Sequence, residues 1–156
     1  GRSTFHVFSP DAPPRLLCPA GRSHFNSQDV ISPDGRWMAL LRDRLASQDS
    51  GAPRILILST EDGTERASFP LEFAEAVIGW QGNAEGLYLL DRNRMPAVLT
   101  HLDLGTGKRR LHAHLGPPDH AGIWGLSNLK VTPDGRHHAY SFFQQFSQLY
   151  LVEGLG

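Results

Sequence analysis

Eight histidines, one cysteine and a glycine-flanked lysine are the residues of this 156-residue chain whose chemistry could reach beyond packing. His112 and His114 are two apart, so a strand puts both on one face. His120, with Asp119 beside it, could swing in as a third nitrogen ligand for a metal such as zinc. No known ligand spacing links these residues, and they read as solvated histidines near a strand end. His137 and His138 are adjacent and point to opposite faces, which makes them a poor chelating pair. Gly105-Thr106-Gly107-Lys108 has the look of a phosphate-binding loop. However, Leu102 stands where the first glycine belongs and Arg109 stands where Ser or Thr is needed. It reads as a hairpin turn. Cys18 lies in Leu17-Cys18-Pro19-Ala20-Gly21, with no helix N-terminus to lower its pKa. There is no Gly-x-Ser-x-Gly elbow and no protein-kinase signature. The sequence therefore predicts no catalytic residue, no cofactor and no metal site.

The elements that carry these residues are announced by a repeat. Ile31-Ser32-Pro33-Asp34-Gly35-Arg36-Trp37-Met38-Ala39-Leu40 returns 100 residues later as Val131-Thr132-Pro133-Asp134-Gly135-Arg136-His137-His138-Ala139-Tyr140. Between them sits a degenerate copy, Trp80-Gln81-Gly82-Asn83-Ala84-Glu85-Gly86-Leu87-Tyr88-Leu89, at spacings of 49 and 51. Ser/Thr-Pro-Asp-Gly suits a type I turn: the hydroxyl bonds the backbone, Pro presets φ, and Gly takes the left-handed position. Such a turn closes a hairpin. A second hairpin signal is interleaved. Arg54-Ile55-Leu56-Ile57-Leu58 runs into Glu61-Asp62-Gly63-Thr64, and His101-Leu102-Asp103-Leu104 into Gly105-Thr106-Gly107-Lys108. Phe5-His6-Val7-Phe8 runs into Ser9-Pro10-Asp11 in the same way.

Two hairpins per unit of about fifty residues describe four-stranded antiparallel sheets, the blades of a β-propeller. The expected fold is all-β: an incomplete arc of about three blades. Residues 1–18 supply the last two strands of one blade, 29–69 and 75–114 form complete blades, and 126–156 supply three strands of a fourth. Arg36 to Arg42, Leu87 to Leu90 and His137 to Phe142 should be the second strands. Residues 42–53 read as a polar inserted loop. About three blades cannot close a ring, so the expected partners of the open edges are upstream blades or a second copy. The chain opens at Gly1 in patterned sequence, as a segment of a longer protein would.

Composition narrows the partners. Lys plus Arg number 15 and Asp plus Glu 16, so no electrostatic pull toward nucleic acid or an anionic membrane surface is expected. A lone cysteine forms no internal disulfide. No apolar stretch reaches the length of a membrane helix.

The Ser/Thr-Pro-Asp-Gly-Arg hairpins resemble the WD40-like (PD40) repeats of TolB-type bacterial propellers over nearly the whole chain. Tyr140-Ser141-Phe142-Phe143-Gln144-Gln145-Phe146, and the residues after it, resemble the chain end of propellers that follow a bacterial serine/threonine protein kinase domain, or sometimes a winged-helix domain. That family tends to carry two basic residues where Gln144 and Gln145 stand. The resemblance implies a non-catalytic sensor or protein-interaction propeller at the C-terminal end of a receptor-like kinase. The alternatives it leaves are a TolB-like envelope protein and a transcription regulator. It favours a periplasmic or extracytoplasmic location.

A propeller brings its inter-blade connections and its second-to-third-strand loops out on one face. Here that face gathers His24, Phe25, Arg42, Arg44, Arg92, Arg94, His120, Trp124, Gln144 and Gln145. Arg and aromatic side chains anchor interfaces. Arg44, Arg92, Arg94 and Trp124 are therefore the candidate contacts for a protein or peptide partner. The opposite face consists of short turns and is expected to offer a partner little. Trp80 should be core, Trp37 a cap on the blade edge, and Trp124 either core or a surface anchor.

Overall fold

The structure is a computed structural model that describes residues 3–9, 11–21, 31–42, 53–72, 75–148 and 150. Among these residues there is no helix, and eleven strands form four antiparallel sheets. Strands β1 (Ser3–Ser9) and β2 (Ala12–Gly21) form a hairpin. β3 (Trp37–Arg42), β4 (Arg54–Ser59) and β5 (Glu65–Pro70) follow in order as a second sheet. β6 (Glu75–Trp80), β7 (Gly86–Asp91), β8 (Ala97–Asp103) and β9 (Arg109–Leu115) form the four-stranded sheet. β10 (Ile123–Val131) and β11 (His138–Gln144) complete the set.

The three segments expected to be second strands are strands: β3, β7 and β11. Ahead of β3, Ile31 bridges antiparallel to Met38, and residues 22–30 before it lie outside the described residues. The inserted polar loop falls mostly on residues 43–52, outside the described residues, as does most of the segment expected to give a third terminal strand.

The repeated turn forms as its chemistry requires. Gly35 N–H donates to the Ser32 carbonyl at 2.8 Å, and Gly135 N–H to the Thr132 carbonyl at 2.8 Å. The two glycines have φ of +74° and +72°, a region in which a Cβ costs about 1 kcal/mol. The degenerate copy keeps this backbone with other side chains. Ala84 N–H donates to the Gln81 carbonyl at 2.9 Å, and Ala84 itself sits at φ +56°. The Asn83 amide oxygen accepts from Glu85 N–H at 3.2 Å, as the Asp34 carboxylate accepts from Arg36 N–H at 3.1 Å.

The last three sheets pack face to face in chain order, and strand alternation explains how. Along β7, Leu87 and Leu89 enter one apolar layer while Tyr88 and Leu90 enter another. The first layer lies between the β3–β5 sheet and the four-stranded sheet, where Ala39, Ile55 and Ile57 meet Val77, Trp80, Leu87, Leu89 and Leu102. The second lies between the four-stranded sheet and β10–β11, where Ala76, Ile78, Leu90, Leu99 and Leu115 meet Leu126 and Leu129. Each fully buried Ile or Leu here contributes about 1.5–3 kcal/mol. A bulge between Val77 and Gly79 in β6 lets Ile78 serve the second layer and Trp80 the first.

Candidate functional site

The loops expected to carry partner contacts divide unevenly. Arg44, His24 and Phe25 lie outside the described residues. Arg92 and Arg94 share the β7–β8 loop. Asp91 organises this loop, accepting from Asn93 N–H at 2.9 Å and pairing with Arg94 Nε at 3.1 Å. Arg94 remains largely exposed. Arg92 is half-buried, and its Nε is buried with no hydrogen-bond partner among the described residues. Trp124, near the start of β10, is 78% exposed and so takes the surface alternative. Trp80 is core at 4% exposed, and half-buried Trp37 packs against the first layer.

Topology puts the β7–β8 loop, the β9–β10 connection and the segment after β11 at the same end of the sheets. Two of the three are tied together. Gln144 Nε2 donates to the Ala121 carbonyl at 2.9 Å, and Gln145 N–H to the Gly122 carbonyl at 2.9 Å. Gln144 thus acts as a neutral donor that holds one loop to the other. A Cβ on Gly122 would stand 2.2 Å from the Gln145 carbonyl oxygen. His120 and Met95 both approach Gly116, which brings the first loop against the second. Among the described residues, no hydrogen bond, ion pair or ring contact joins Arg92 or Arg94 to Trp124. The three line one end of the sheets without a direct bond among them.

The opposite end holds more than its short turns suggested. A cleft of about 210 Å³ opens between the β3 turn and the β6–β7 turn, lined by Asp34, Arg36, Trp37, Arg66, Asn83 and Glu85. The Arg66 guanidinium lies 4.5 Å from the Trp37 ring centroid. Asp34 accepts from Ser32 Oγ at 2.6 Å and Arg36 Nε at 2.8 Å. These bonds hold its carboxyl down to about 2. Asp62 is held at about 2 by the Ser59 and Thr64 side chains in the next turn.

The equivalent position between the four-stranded sheet and β10–β11 is filled by rings. Tyr88 meets His101 and His112 edge-on, at centroid distances of 5.6 and 5.1 Å. His101 Nε2 is 2.8 Å from Gln81 Oε1, and His112 Nε2 is 2.9 Å from the Gly135 carbonyl. Burial lowers the His101 pKa against the pull of Asp103, and burial raises that of Tyr88. Gly82 replaces the proline of the other two turns, and its N–H donates to the Pro133 carbonyl at 2.9 Å. Proline could not make that bond. His112 is thus a junction residue, with its ring against Tyr88 and not beside His114. Among the described residues, no group of three or more His, Cys, Asp or Glu side chains could hold a metal ion. Likewise, no helix is long and apolar enough to cross a membrane.

Arg109, at the start of β9, reaches back to the β5–β6 connection, donating to the Pro70 carbonyl at 2.6 Å and Glu75 Oε2 at 3.0 Å. Its charge is spent on packing, and burial still leaves the Glu75 carboxyl raised. No family model and no curated protein matches this sequence.

Proposed function

We propose that this chain is a non-catalytic interaction module built of β-propeller blades, and that it binds a protein or peptide through the end bearing Arg92, Arg94 and Trp124, with Arg44 in the same group. One observation carries this reading. Three successive antiparallel sheets, β3–β5, β6–β9 and β10–β11, stack face to face in chain order, and the same turn stands at the same place in each of the three. Propellers place blades in this way, and loops on such a scaffold carry the binding residues. The exposed indole of Trp124 and the fork of Arg94 supply the side-chain types that anchor interfaces. The resemblance to TolB-type repeats and to kinase-linked propeller ends supports a sensing or scaffolding role in a bacterial envelope receptor. A winged-helix regulator or a free envelope propeller is the alternative setting.

The test is a pull-down with the full-length protein. It compares alanine at Arg92, Arg94 and Trp124 with alanine at Glu61 and Lys108, two exposed residues at the turn end. Arg109 is unsuited as a control, because its loss would release the β5–β6 connection. Loss of a captured partner in the first set alone supports the reading. Loss in the second set alone moves the site to the turn end and its Trp37 cleft.

A further inference from the structure

The cleft between the β3 turn and the β6–β7 turn is lined by described residues, and their hydrogen-bonding capacity is unevenly spent. The two carboxylates are engaged. Asp34 accepts from Ser32 Oγ, Arg36 N–H and Arg36 Nε, and Glu85 accepts from the Asn83 amide. The two guanidinium groups are not. Arg36 commits only its Nε to Asp34, so its terminal nitrogens keep their donors. Arg66 makes no hydrogen bond or ion pair with any described residue, and its guanidinium lies 4.5 Å from the Trp37 ring centroid. A cation–π contact uses no hydrogen-bond acceptor, so the N–H fork of Arg66 is unspent.

The placement of Arg66 is built into its strand. Ile57 pairs with Ala67 and Leu58 with Glu65, which leaves Arg66 as an extra residue in β5. β9 carries the same device. Leu99 pairs with Ala113 and Thr100 with Leu111, which leaves His112 as the extra residue. A bulge re-aims the side chain it carries. Both extra residues meet a ring of an inner strand of their own sheet, Arg66 over Trp37 and His112 against Tyr88. At His112 the junction is closed by the Tyr88 and His101 rings and the Gly135 carbonyl. At Arg66 about 210 Å³ stays open. One device thus gives a filled junction in one sheet and, in the other, a cleft lined by a guanidinium with no described acceptor.

We infer that this cleft is a binding site for a carboxylate group, gripped by the N–H fork of Arg66, with the terminal nitrogens of Arg36 as a second set of donors in the same cleft. The inference is independent of the function proposed above, whose contacts lie at the other end of the sheets. Size sets the scale of the ligand. The volume is below the roughly 300–1,000 Å³ of sites for drug-sized molecules. It suits one acidic side chain, a chain-terminal carboxylate or a small organic acid. Charge decides among anions. Asp34 stays ionised at neutral pH, held by Ser32 and Arg36, and Glu85 is a second carboxylate on the wall. Two guanidinium groups against two carboxylates tolerate a monoanion and disfavour a phosphate dianion. The planar fork of arginine also matches the two oxygens of a carboxylate.

The experiment is a titration of the full chain at constant ionic strength, followed by the nitrogen–proton NMR signals of the Trp37 indole and the Arg36 Nε–H. N-acetylglutamate N-methylamide offers a side-chain carboxylate, N-acetylalanine a terminal one, and N-acetylglutamine N-methylamide is the neutral control. A carboxylate probe moves both signals along a saturating curve, with half-effect at about 1–10 mM, and the glutamine probe moves neither. Arg66→Gln weakens the binding about tenfold or more, since a charge-assisted pair is lost. Arg136→Gln removes the exposed arginine at the same place in the third turn and leaves the binding within about twofold. Far-UV circular dichroism verifies the folding of both variants. A response to the glutamate probe alone makes the site a reader of acidic side chains, and to the alanine probe alone a reader of chain ends. A response to both leaves the carboxylate itself as what is read, and each of these outcomes supports the inference. No saturation by either acid up to about 50 mM, an equal response to the glutamine probe, or an Arg66→Gln chain that binds as the wild type does overturns it. So does inorganic phosphate that binds more tightly than both acids.

Discussion

The two apolar layers of this protein lie on opposite faces of the one four-stranded sheet and differ in how they end. The first has an aliphatic centre, with Ile55, Ile57, Leu87, Leu89 and Leu102 all at 0% exposed, and Trp80 buried beside them. It terminates at a polar cleft beneath Trp37. The second is capped by Tyr88, His101 and His112, stitched to the next turn through Gly82 and Gly135. It thins out toward half-exposed Phe142. The difference traces to a few positions. Ala39 occupies the repeat position of Tyr88, and Ile57 pairs with Ala39 as His101 pairs with Tyr88. Small and aliphatic residues leave room at one junction, where rings fill it at the other. The first layer therefore carries the stability. The second carries titratable chemistry and an open margin.

The largest expected effect follows from that contrast. Ile57→Ala should cost about 3–4 kcal/mol in chemical unfolding, because its cavity is closed on all sides, and Leu129→Ala, at 7% exposed, about 2. Equal losses would mean that the second layer is as tightly bounded as the first. Next come the two turn glycines. At Gly35 an added Cβ meets nothing within 4 Å, so Gly35→Ala should cost about 1 kcal/mol of left-handed strain. At Gly135 it would meet the Tyr88 hydroxyl at 2.4 Å, so Gly135→Ala should cost about 2–3 kcal/mol. Thermal melts of the pair decide whether the ring cluster is as close-fitting as described.

Acid should act on the two junctions in separate windows. His101 has a lowered folded pKa, so the stability it contributes is whole above its unfolded value near 6.5 and is lost as pH falls through the lower folded value. Asp34 and Asp62, held at about 2, contribute stability present above an unfolded value near 4 and lost between about 4 and 2. Unfolding measured against pH should show both falls. His101→Gln should remove only the upper one, and Asp34→Asn should diminish only the lower. The smallest effect concerns the degenerate turn. Ala84→Gly relieves the strain at φ +56° but loses a buried methyl, so stability should change by less than about 0.5 kcal/mol. The ordinary strand residue Ala39, changed to Gly, should lose about 1.5 kcal/mol.

How much of this was legible in the sequence depended on whether the signal was local. Ser32-Pro33-Asp34-Gly35 and Thr132-Pro133-Asp134-Gly135 encode their turns in adjacent residues, so the hairpins and second strands are read directly. Gln81-Gly82-Asn83-Ala84 was readable only through its spacing, and its spacing proved sufficient. The ring cluster was not legible, because Tyr88, His101 and His112 belong to three strands and meet only when register is fixed. One clue was present: Gly82 in the place of a proline restores a donor, and a restored donor needs an acceptor. The role of Gln144 was hidden for the same reason, since its acceptor Ala121 is 23 residues away in sequence. The cleft at Trp37 was missed because short turns leave no sequence mark of the space between two of them.

The central claim is that the sheets are successive blades turned by a constant angle about one axis. Spin labels at Arg36, Glu85 and Arg136 test it most directly, since these exposed residues hold the same place in three successive turns. The measurement is the three pairwise label distances by pulsed electron resonance, with labelled chain diluted into unlabelled chain. The account predicts that 36 to 85 and 85 to 136 are equal, and that 36 to 136 is longer than either but shorter than their sum. Unequal neighbouring distances, or an end-to-end distance shorter than both, would contradict it.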